Sequence, residues 1–119
     1  MSNVTESLER LMELAGARSA ALVDSATGMV LGHAGSDADL EITAAANTEV
    51  VRAQLKSIGT LGSADTIDDI LITLSTQYDI IRPLAVNPSI FLYLAMDKSK
   101  SNMAMARYKA AECERQLEL

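Results

Sequence analysis

The sequence contains a single histidine, His33, and a single cysteine, Cys113. Any Ser-His-Asp triad would have to use His33, but no G-x-S-x-G elbow accompanies it. Lying between Gly32 and Gly35 at the end of an apolar segment, His33 reads as a strand-end side chain. A zinc site needs three good ligands at close spacing, and one His and one Cys do not supply them. Cys113 falls in an apolar helical seam, where a thiol behaves as a small hydrophobe rather than a redox group. Asp37, Asp39 and Glu41 begin like a calcium loop, but Ile42 stands where that loop requires glycine. Ser36, Asp37 and Asp39 read instead as the cap and acidic first turn of a helix. Gly59-Thr60-Leu61-Gly62-Ser63 lacks the lysine of a phosphate loop and follows a helix rather than a strand. Asp68 and Asp69 are adjacent on a predicted strand, so they point to opposite faces and cannot act on one bond. They read as charges near a sheet edge. No catalytic constellation, metal site or cofactor is expected, and the chain is read as non-enzymatic.

The remaining residues must then explain the protein by their packing. The chain has 119 residues, 49% hydrophobic and 22% charged, which suits one domain spanning 1–119. Aromatics are 3%, so aliphatic side chains must build the core. Ten Lys and Arg stand against 16 Asp and Glu, and the net charge of -6 disfavours nucleic acid and anionic membrane surfaces. The longest apolar run, Ile90 to Met96, is far short of the ~20 residues that span a bilayer. Glu6 and Glu9 stand where a signal peptide would be apolar, and the expected location is the cytoplasm.

Two apolar periods alternate along the chain. Leu8, Leu11, Met12 and Ala15 mark a first helix from Thr5, its N-cap, to Ala15, with Gly16 as the stop. Ala20–Asp24 and Met29–Ala34 form a hairpin around Ser25–Gly28. Leu40, Ala44, Asn47, Val51, Leu55 and Ile58 stripe a second helix over Asp39–Ile58, with Thr48 and Arg52 off the stripe and Gly59 ending it. Ile67–Leu74, Tyr78–Leu84 and Ile90–Met96 are three further strands. The last is apolar throughout, as for a strand covered on both faces. Met103, Ala106, Ala110, Cys113 and Leu117 form the seam of a final helix from Ser99, about 30 Å long, with Lys109, Glu112, Glu114 and Arg115 on its wet side. Met105 lies off that seam. The predicted class is α+β, in the order α-β-β-α-β-β-β-α, with a five-stranded, mostly antiparallel sheet covered on both faces.

The run Gly16-Ala17-Arg18-Ser19-Ala20-Ala21-Leu22-Val23-Asp24, followed by Gly28-Met29-Val30-Leu31, resembles the signature of the roadblock/dynein light chain family. The resemblance continues through the Ala-rich helix from Thr43 to Leu55 and the segment Tyr78–Leu84, and ends with Phe91–Asp97. It covers nearly the whole chain and carries the following implications. The strand order is 2-1-5-4-3, with the second helix on one face and the first and last helices on the other. The protein forms a homodimer, or a heterodimer with a paralogue, by pairing third strands across a two-fold and packing second helices side by side. Here those positions are Ile67, Ile70, Leu71, Ile72, Thr73 and Leu74 on the strand and Asn47, Val51 and Leu55 on the helix.

Prokaryotic members of that family bind and regulate small Ras-like GTPases, and some accelerate GTP hydrolysis without inserting an arginine. The resemblance therefore implies a GTPase partner, with Thr48 and Arg52 as candidate contacts. A solvated helix-face charge is the plainer reading of Arg52. A small-molecule sensory or scaffold domain of a signalling complex is the alternative. The low aromatic content and the lack of convergent polar groups count against a ligand pocket.

Overall fold

The computed structural model describes residues 2–37 and 39–119. Eight elements follow in the order α1 (Val4–Leu11), β1 (Ala17–Asp24), β2 (Met29–Gly35), α2 (Leu40–Leu61), β3 (Ile70–Thr73), β4 (Gln77–Pro83), β5 (Ile90–Asp97) and α3 (Met103–Gln116). The strands form one antiparallel sheet in the order β2-β1-β5-β4-β3. Class, element order and strand order agree with the sequence reading.

The central strand explains the two layers. β5 alternates Leu92, Leu94 and Met96 on one face with Phe91, Tyr93 and Ala95 on the other, and all six are buried. The first face packs under α1 and α3, with Leu8, Leu11, Ile80, Ala106, Ala110 and Cys113. The second packs under α2, with Ala21, Val23, Ala44, Val51 and Ile81. A strand covered on both sides has no polar face to show, hence its continuous apolar run. α2 lies mainly over β1 and β2. Toward β3 this face is less covered, and Ile70 and Ile72 are only half-buried.

Several boundaries depart from expectation, each for a local reason. α1 starts at Val4, and Thr5 is not its cap. Asn3 precedes it without a side-chain cap bond, because its side chain ties the two ends of the chain together. Its Nδ2 donates to the Gln116 carbonyl at 2.7 Å, and its Oδ1 accepts from the Glu118 N–H at 2.8 Å. The helix stops at Leu11, not Ala15, because Met12, Glu13 and Leu14 donate to carbonyls three residues back. That tightening turns the chain toward β1. α2 runs through Gly59 and stops at Gly62, which takes φ 65° while Ser63 N–H closes on the Ile58 carbonyl.

α3 starts at Met103, not Ser99. Asp97 accepts from both the N–H and the hydroxyl of Ser99, forming a local turn that postpones the helix. Asn102 then caps it, accepting from Met105 N–H at 3.0 Å. Its 14 residues make α3 about 21 Å long, shorter than the sequence suggested. β3 begins at Ile70, so Ile67 lies outside the strand.

Candidate functional site

An open sheet has two edges, and here they differ. β2 pairs with β1 through a bulge at Leu22/Val23 that shifts the register and leaves Leu31 unmatched. Bulges of this kind blunt an edge against further pairing. β3 pairs with β4 in unbroken register, Ile70 with Ile81 through Thr73 with Tyr78. Its other side carries unpaired backbone groups, and none of its four residues is charged. Leu71 and Leu74 are 41% and 46% exposed on and beside it. A regular, uncharged, apolar edge is a template for another strand.

The predicted site residues separate into two groups. Ile70, Ile72 and Leu55 border the core layer beneath α2, and Leu71 faces the opposite side beside Ile80. Thr73 and Leu74 are exposed, and Ile67 lines a cavity of about 300 Å³ with Leu55, Ile58 and Pro83. These residues form one continuous margin of the molecule. Asn47 and Val51, expected at a subunit interface, and Thr48, expected at a partner surface, are instead buried within this chain. The helical register turns 44, 47, 48 and 51 together onto the sheet. Asn47 Nδ2 and Thr48 Oγ1 have no hydrogen-bond partner there. Arg52 stays exposed and approaches Glu49 on its own helix at 3.9 Å.

One polar cluster was not legible in the sequence. Asp79 is buried on the α2 side of β4, and its Oδ1 accepts from the Tyr93 hydroxyl at 3.2 Å and from Gln77 Nε2 at 2.7 Å. Arg18 donates to Gln77 Oε1 at 2.8 Å and lies 3.5 Å from Asp97. Burial first, then the charge of Asp79, raises the Tyr93 pKa above its ordinary range. Hydrogen bonds from Ser99 and the charge of Arg18 lower that of Asp97. The cluster borders an open cavity of about 330 Å³ that Ser19, Ser36 and Thr43 also line.

A second cavity, about 410 Å³, holds His33 beside Asp37, Asp39 and Glu41. No group of three His, Cys, Asp or Glu among the described residues is placed to hold a metal ion. Cys113 is buried with Sγ 3.8 Å from the Ser7 carbonyl, and burial pushes its thiol pKa up to about 11.

Two ion pairs fasten α3. Glu114, expected on the wet side, is largely covered because its carboxylate bridges Arg82 and the Ala85 N–H. Arg107 holds Asp69 with two bonds, Nε to Oδ2 at 2.8 Å and a terminal nitrogen to Oδ1 at 3.2 Å. No helix among the described residues is long and apolar enough to cross a membrane.

No family model and no curated protein matches the sequence. Solved structures do match. MglB of Myxococcus xanthus superposes with a TM-score of 0.82 at 16% identity, over 95% of this chain and 89% of that one. A roadblock/LC7 domain from Streptomyces avermitilis gives 0.79 at 15% identity, over 92% and 90%. The gliding protein MglB from Thermus thermophilus gives 0.75 at 20% identity, over 92% and 81%. Together with the strand order and the placement of the three helices, these likenesses show that the chain has the roadblock/LC7 fold.

Proposed function

We propose that this chain is a non-enzymatic, cytoplasmic interaction module that dimerises through β3 and binds and regulates a small Ras-like GTPase. The observation that carries the reading is the β3 edge, regular, uncharged and bordered by exposed Leu71 and Leu74. Two copies related by a two-fold perpendicular to the sheet would continue it into ten strands. Ile70 of one copy would then face Ile72 or Leu74 of the other, apolar against apolar. Leu55 and Ile67 extend that margin beyond the strand. Asn47, Thr48 and Val51 serve it from behind, by seating α2 on the sheet. The buried carboxylate of Asp79 is engaged by Gln77 of its own strand and by Tyr93 of β5, the second bond tying β4 to β5, which supports a structural role for that cluster. The GTPase partner rests on the family resemblance and on the MglB fold match.

The test is capture from native extract with this protein as bait, in parallel GTP-analogue and GDP conditions, with bound proteins identified by mass spectrometry. Enrichment of a small GTPase in one nucleotide state is expected. Recovery of this protein or a paralogue without any GTPase would overturn the regulatory part of the reading.

A further inference from the structure

The segment between α2 and β3 reaches the sheet through two consecutive carboxylates, Asp68 and Asp69. Side chains alternate along an extended chain, so Asp69 projects to the same side as Leu71, the side covered by α1 and α3. There it meets Arg107 of α3 in a two-pronged pair. The Asp69 side chain is only 8% exposed, whereas that of Arg107 is 49% exposed. Among the described residues no other hydrogen bond joins α3 to 62–73. β3 is just four residues long and has one neighbour, β4. A strand that short is weakly held by its ladder alone.

Resting on the β3 pairing proposed above, we propose that Arg107 is a positioning residue for the dimer edge. It fixes the entry of β3 against α3 by holding the Asp69 carboxylate, while Asp68 stays exposed on the other side of the strand. The planar fork of arginine suits this task because it holds both carboxylate oxygens, which a lysine cannot do in the same geometry.

The experiment compares wild type, Arg107→Gln, Asp69→Asn, the double variant and Arg107→Lys. Dimer dissociation constants come from sedimentation equilibrium, and amide hydrogen exchange is followed along β1, β3 and β5. Arg107→Gln and Asp69→Asn should each weaken the dimer about fivefold. The double variant should be no weaker than either single, and Arg107→Lys should recover part of the loss. Amides of Ile70–Thr73 should exchange faster while those of β1 and β5 keep their protection. Dissociation constants unchanged in both single variants, or equal loosening of β1, β5 and β3, would overturn the proposal. If Arg107→Gln does not fold, the near-isosteric Asp69→Asn carries the same test. A monomeric wild type would instead overturn the β3 pairing, and the exchange of β3 amides would still decide whether Arg107 holds the strand.

Discussion

Tyr93 and Cys113 are held protonated by burial, Tyr93 with added repulsion from the Asp79 charge. A group whose native pKa lies above its unfolded value binds more protons in the native state. Its stabilising contribution is whole below the unfolded pKa and drains away as pH rises through the native one. For Cys113 that window runs from its ordinary 9.0 to about 11. For Tyr93 it opens near 10 and extends above. The guanidinium chloride midpoint should therefore fall from pH 8 to pH 11, and Cys113→Ala should flatten the part between 9 and 11. A midpoint independent of pH over that range would contradict the placement of both groups. Little of this was readable beforehand. Tyr93 sits in an apolar run, and its partner Asp79 comes within reach only through the register of β4 against β5. The burial of Thr48 depended in the same way on how α2 rolls onto the sheet. The seam residue Cys113 was legible, because helical period alone placed it inside.

At the scale of elements, turns and close approaches decide where strands begin and end. Gly35 takes φ 85° where β2 ends, and a Cβ there would strike the Arg18 carbonyl and lie 2.8 Å from the Ser19 Cα. Gly28 takes φ 77° in the β1–β2 turn with nothing within 4 Å. Gly28→Ala should cost only the backbone strain, about 1 kcal/mol. Gly35→Ala adds a clash with backbone that cannot move aside, and should cost about 3 kcal/mol or more. Urea unfolding of the two variants checks the order, and equal losses would contradict the close approach of β2 to β1. The existence of every element was legible from apolar period. The boundaries were not: at the start of α3 side-chain acceptors set them, Asp97 accepting from Ser99 and Asn102 from Met105, and at the ends of α1 and α2 backbone bonds do. The Arg107–Asp69 pair likewise spans 38 residues, and no local pattern announces it.

For the whole molecule, the sequence suggested an unused edge from the apolar Ile67–Leu74 segment, and the structure narrows it to Ile70–Thr73 with Leu74 beside it. That narrowing concentrates the proposed interface on few side chains, so a single charge should be enough to break it. Ile72 is only half-buried in the isolated chain, so a lysine there can reach solvent in the monomer but not within a ten-stranded sheet. The direct measurement is sedimentation equilibrium at micromolar concentration on wild type and Ile72→Lys, with circular dichroism to show that the variant is folded. The account predicts wild type at about twice its 12.7 kDa chain mass and a folded, monomeric Ile72→Lys. A monomeric wild type, or a folded Ile72→Lys that dimerises as tightly as wild type, would contradict it.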